Sequence, residues 1–349
     1  MYRNVQIGLM EKHNESIDIA KGIGMICLVL GHLFIIGSDS FKMIFAFHMP
    51  LFFFLSGYLF IPSKYTPKVF FQKKIGKLAL TYLLFVIIGT LFHMIFYEVH
   101  PKGLLVSAIY KGEPYVASAL WFVTVLAIIW TICFIAPVIL VNRFNRWWCL
   151  LITVSVCILA SYLLSILPER ILHYIPLKLE SLPLSYLFFY LGYFCQSMEI
   201  KKPKRYLLTL MGGGILLIVC TLHNEMVDLR QNMMGNPLLF MVAAVSGIVF
   251  VLVLSNMFHS KILSYIGRYS ILFFLWEGFA RDIIRFIMNY FTGTTYTPMV
   301  DLPLRIAVVL FPFVVVLTYW LTKFSLPYYQ RYLNLATSFL FENNKQNHK

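Results

Sequence analysis

The sequence predicts an all-α fold, a polytopic transmembrane helical bundle of about ten spans with both termini cytoplasmic (N-in/C-in). Three observations predict it. The 349 residues are 60% hydrophobic and 13% charged, with a mean hydropathy of +0.77, whereas a soluble domain carries about 25% charged residues. Ten apolar segments approach or exceed the roughly 20 residues that cross a bilayer. Lys and Arg also favour one side of those segments, with 18 in the assigned cytoplasmic stretches and nine outside; Lys21 and Arg268 lie within spans. That bias orients the chain.

A polar N-terminal tail, 1–16, precedes the first span, 17–37, which contains Asp18, Lys21 and His32. The second, 41–61, carries the aromatic run Phe47–Tyr58 with His48. Lys74 and Lys77 open the third, 75–97, and Trp121 enters with the fourth, 118–141. The fifth is 147–167. The sixth and seventh, 182–198 and 206–223, are short, and the seventh holds Gly212, Gly213 and Gly214, small residues that let helices pack closely. The eighth, 237–257, precedes a ninth, 262–280, within a segment around 262–291 that is long enough to project beyond the membrane. The tenth, 303–325, leads to an Asn/Lys-rich cytoplasmic tail, 326–349. Residues 17–325 thus form one membrane domain, with loops too short for a separate enzyme.

The net charge of +14 needs no nucleic acid, because topology and anionic lipid account for it. No cleavable signal peptide is expected: the first apolar run contains Asp18 and Lys21 and lacks a small-residue cleavage site. Asn14-Glu15-Ser16 matches a glycosylation acceptor by chance, since the topology places it in the cytoplasm. The six cysteines fall within spans without CxxC spacing, as packing residues do, and no metal site is expected.

Ionisable groups in hydrocarbon are costly and usually face a protein interior or an aqueous cavity. Lys21 and His32 are eleven residues apart. A helix turns about 1,100° over that interval, so they share a face roughly 16 Å apart along the axis. His32 and His48 fall at similar depth in an antiparallel hairpin, as does Glu277 in the ninth span. Glu277, Arg281 and Arg285 follow at i, i+4 and i+8, one stripe. They form either an interfacial ion pair or a carboxylate that orients an imidazole, with arginines lining an acceptor side. A neutral imidazole can take a proton from a hydroxyl. Lys74 and Lys77, at i and i+3, share a face and either anchor the topology or bind phosphates. Trp121 is a pocket wall or an interfacial belt residue.

The chain resembles the integral-membrane acyltransferase-3 family, which O-acylates sugars of bacterial surface polysaccharides and includes fucose 4-O-acetylase-like proteins. Asp18-Ile-Ala-Lys21-Gly22 with Gly31-His32 resembles its basic-residue, ten-residue gap, histidine signature. Phe47–Tyr58 is similar to its proline-aromatic-serine-glycine block, and Lys74 and Lys77 to its basic pair. Ala119–Phe122, Phe188–Tyr193 and Ile266–Leu275 are similar to shorter blocks, in family order. Lys21 stands where the family often has arginine, and Glu277 where it often has histidine.

The resemblance implies a multi-pass protein of the bacterial plasma (inner) membrane. It would move an acyl group from acyl-CoA, chiefly acetyl-CoA, to a hydroxyl of a glycan or lipid-linked sugar, without a metal. Lys74, Lys77 and Lys21 would hold the CoA phosphates. His32 would act as base or become acylated, and His48 or Glu277 would orient it or shuttle its proton. Trp121, Arg281 and Arg285 would contact the acceptor. Buried His, Glu and Lys also make proton relays, so a proton-coupled transporter or lipid-sugar flippase is the alternative. The absence of an obvious inverted repeat weighs against that alternative. A sensor without chemistry is a third reading.

Overall fold

The computed structural model describes residues 15–97, 101–111, 120–136, 145–172, 174–196, 206–293 and 304–341. The acceptor-like Asn14, the basic stretch 199–205 and the chain's end, 342–349, lie outside them. Among the described residues every regular element is helical; the sole β feature is an isolated bridge, Asp228 to Met233.

The long elements in chain order are α1 (Glu15–Gly31), α2 (Asp39–Phe45), α3 (His48–Tyr58), α4 (Pro67–Phe96), α5 (Leu120–Ile135), α6 (Arg146–Ser165), α7 (Leu182–Cys195), α8 (Tyr206–Leu222), α9 (Pro237–Ser255), α10 (Lys261–Arg268), α11 (Ser270–Thr292) and α12 (Leu304–Phe341). Their starts follow from capping chemistry. Ser38, Asn145, Asn236 and Ser260 each turn a side-chain oxygen back to an N–H of the first turn of α2, α6, α9 and α10. This satisfies donors that a helix leaves open. Gly293, at φ 64°, ends α11 in the left-handed region that glycine enters without penalty.

Five stretches are long and apolar enough to cross a membrane: Asp39–Tyr58, Pro67–Phe96, Arg146–Ser165, Pro237–Ser255 and Arg305–Leu340. The shorter Leu120–Ile135 and Tyr206–Leu222 are also apolar. Several expected spans differ in a way that matters for the site. The first span stops at Gly31 instead of running to residue 37. The second is divided at Ala46–Phe47, and the ninth at Tyr269. Non-helical backbone at membrane depth is tolerated where protein buries it or a cavity needs it, and His32, His48 and Ser270 stand at these three breaks. At the C-terminal end α12 stays helical to Phe341, with Pro312 and Pro327 inside it.

Two close helix crossings hold the centre. A Cβ on Gly22 would run into the Leu263 carbonyl, and one on Gly267 into the Asp18 carbonyl, so α1 and α10 touch backbone to backbone. Gly57 and Gly192 do the same for α3 and α7, against the carbonyls of Phe189 and Phe54. Lipid tails are as apolar as leucine, so close van der Waals packing of this kind is what drives helices together in a bilayer. Around these crossings Phe53, Phe188, Phe240 and Phe273 are fully buried. On the far side, the Trp276 indole donates to Ser325 Oγ at 2.8 Å, tying α11 to α12.

Candidate active site

His32 follows the last helical residue of α1, and its N–H still donates to the Leu28 carbonyl at 3.0 Å. Its ring is thereby carried by a rigid helix end. Across from it, α11 presents Glu277. His32 Nδ1 lies 2.9 Å from Glu277 Oε2, and Glu277 Oε1 lies 3.5 Å from an Arg281 guanidinium nitrogen. A carboxylate paired with arginine is an acceptor only. In the neutral imidazole Nδ1 therefore carries the proton, and Nε2 keeps a lone pair. The Glu277 side chain is 3% exposed and that of His32 is 21% exposed. The carboxylate is sealed in while the imidazole can be reached, which is the arrangement of an oriented base.

In this geometry one Glu277 oxygen meets Arg281 and the other meets His32. Arg285 and Asp282, one further turn along α11, are buried beside Tyr97 at the end of α4.

His48, the first residue of α3, is 2% exposed. Its Nδ1 donates to the Ile44 carbonyl at 2.9 Å, closing the break between α2 and α3. The Phe45 ring has centroid distances of 4.7 Å to His48 and 6.1 Å to His32. His48 therefore neighbours His32 through an aromatic ring, and its hydrogen bond goes to the backbone.

Toward the lysine-rich end, a cavity of about 340 Å³ opens between α1, α3, α4, α5 and α11. Helical periodicity builds its walls. Met49, Phe52, Ser56 and Leu59 descend one face of α3, and Phe122, Leu126 and Trp130 one face of α5. Ten residues from Met49 to Leu59 make the cavity about 15 Å deep. Lys21, Lys64 and Lys74 line it, as does Tyr65. Lys74 Nζ lies 5.4 Å from the centroids of both Tyr65 and Trp130, a cation held between two aromatic faces. Beside Lys21, the Arg268 guanidinium lies 3.7 Å from Asp18.

Two expected site residues fall elsewhere. Lys77 is exposed and does not line the cavity that Lys74 lines. Lys74 is the fourth residue of a π turn at Phe71–Ile75 and Lys77 lies past it in regular helix, so the α-helical spacing assumed for the pair does not hold across the junction. Trp121 is 4% exposed and packs in the core 6.1 Å from Phe53. It sits one residue, about 100°, off the cavity face of α5. Lys64, Tyr65 and Trp130 are the contributors that sequence reasoning missed. Trp130 was findable, eight residues after Phe122 on one helical face.

Fold and site define a class: an all-helical membrane protein with a carboxylate-oriented imidazole near an apolar cavity with a cationic lining. A family model described as an acyltransferase domain, that of the acyltransferase-3 family, matches residues 14–323, and the chain belongs to that family. It is thus a membrane acyltransferase in kind. No curated protein and no solved structure matches the chain.

Proposed function

We propose that the protein transfers an acyl group, normally acetyl, from acyl-CoA to a hydroxyl of a sugar in a cell-surface polysaccharide or its lipid-linked precursor, in the bacterial plasma membrane. The observation that carries this is the His32–Glu277 pair, with its free Nε2, above a cavity lined by three lysines.

The cavity suits the donor. A pantetheine arm has about the backbone length of four extended residues, roughly 14 Å, close to the depth estimated along α3. Its apolar walls accept that arm, and Lys21, Lys64 and Lys74 offer charge to the CoA phosphates. With both termini cytoplasmic and ten passes, this mouth faces the compartment that holds CoA. The His32 end faces the outer leaflet, where a lipid-linked sugar arrives past Arg281 and Arg285.

The chemistry balances with one base. His32 Nε2 takes the proton of the sugar hydroxyl as its oxygen attacks the thioester carbonyl. The new C–O ester bond forms, the C–S bond breaks, and the imidazolium returns the proton to the leaving thiolate. Glu277 holds the ring in the required tautomer and stabilises its charged form, while Arg281 pairs with the other carboxylate oxygen. His48 stays a helix lock and neighbour in this scheme.

The test is mass spectrometry of surface glycans from cells with and without the gene. A loss of one acyl group per modified sugar on deletion is the expected result. Identical glycan masses, with a solute or lipid-sugar gradient lost instead, would favour the transporter.

A further inference from the structure

Met25 and Met49 close the inner end of the cavity. Lys21, Met25 and His32 stand at i, i+4 and i+11 on α1, at angles of about 0°, 40° and 20°. Met25 therefore lies on the face that joins the cavity lysine to the imidazole. His32 is seven residues further along, roughly 10 Å by helical rise. Met49 comes from the opposite wall, next in chain to His48. Both methionines line the cavity, and they are 3% and 5% exposed. Phe122 and Phe274 complete this end, edge-on to each other at 5.9 Å. It thus consists of two flexible thioethers set among rigid aromatic rings.

We infer that Met25 and Met49 set the size of the acyl group that the enzyme accepts. The inference rests on the donor reading above. The pantetheine arm uses up most of the depth, so the thioester arrives at the level of the two methionines and the acyl group lies between them. Methionine has three rotatable bonds and fills irregular gaps. Side-chain rotation accommodates a two-carbon group and lets its carbonyl meet a hydroxyl held by His32. A longer chain must displace both side chains into the packed Phe122–Phe274 edge. Discrimination against added methylenes in such a pocket runs roughly 10–200-fold each. Truncating either methionine opens space on the line toward His32.

The experiment compares acetyl-CoA, butyryl-CoA and hexanoyl-CoA on purified wild-type, Met25→Ala and Met49→Ala protein in vesicles. It measures thermal stabilisation by each thioester and transfer to glycan. The expected result is wild type stabilised by acetyl-CoA far more than by hexanoyl-CoA. The hexanoyl-to-acetyl ratio should rise about tenfold or more in each variant. The methionines come from different helices, so one well-folded variant suffices. An unchanged ratio in a folded variant that still binds acetyl-CoA would overturn the inference and leave the donor reading standing. So would a wild type that takes hexanoyl-CoA as readily as acetyl-CoA. No stabilisation of any of the proteins by any thioester would overturn both.

Discussion

Glu277 divides its two oxygens between Arg281 and His32, and the site depends on that division. A buried carboxylate stripped of its partners costs several kcal/mol, so Arg281 acts on the imidazole through Glu277. Lys74 has the corresponding place at the other end, held between Tyr65 and Trp130. Charge-assisted hydrogen bonds contribute about 1.5–3 kcal/mol, roughly ten- to a hundredfold in affinity. Lys74→Ala should weaken acyl-CoA binding to purified protein by about that factor. Lys77→Ala should leave it nearly unchanged, because Lys77 is exposed outside the cavity. Unchanged binding in both variants would return both lysines to topological anchoring, and an equal loss in both would contradict the placement of Lys77 outside the site. At this scale much of the site was legible: an ionisable residue inside an apolar segment announces itself, and equal offsets from the starts of their spans brought His32 and Glu277 to one depth. Lys64 and Tyr65 were not legible, because they sit in a short connection whose path over the cavity depends on five helices.

Breaks and crossings position the site at the scale of elements. Gly22 faces α10 and Gly57 faces α7 at backbone contact, which explains why glycines stand beside Lys21 and Ser56. Close approach of α1 and α3 to their partners narrows the bundle around the cavity. Gly192→Leu should push α7 from α3, with overpacking costing at least about 1–3 kcal/mol, and should lower the yield of folded protein in detergent. Gly212→Leu should be tolerated, since nothing lies within 4 Å of a Cβ there. Comparable yields for the two would argue against the crossing as a structural anchor. The apolar spans themselves were legible from hydropathy. The breaks after Gly31, at Ala46–Phe47 and at Tyr269 were not read from hydropathy, although Pro50, which has no N–H to donate to the Ala46 carbonyl, marks the second of them. The π turn at Phe71–Ile75, which contains Lys74 but not Lys77, was equally hidden.

The whole molecule is a bundle with a cationic mouth at one end and an oriented base toward the other, and the proposed reaction requires the mouth to face CoA. Tags at residues 1 and 349 should both resist external protease in intact cells, as the basic-residue bias of 18 to nine requires. A C-terminal tag cut from outside would make the number of passes odd and undo the pairing of depths. The most direct test of the central claim is acyl transfer from labelled acetyl-CoA to the native glycan by wild-type and His32→Gln protein, normalised to folded protein in the membrane. Glutamine keeps a hydrogen bond to Glu277 but cannot take the hydroxyl proton, so transfer should fall by about 10²–10⁴-fold while the protein still inserts. Near-normal transfer by His32→Gln would contradict His32 as the base and leave the His32–Glu277 contact a purely structural one.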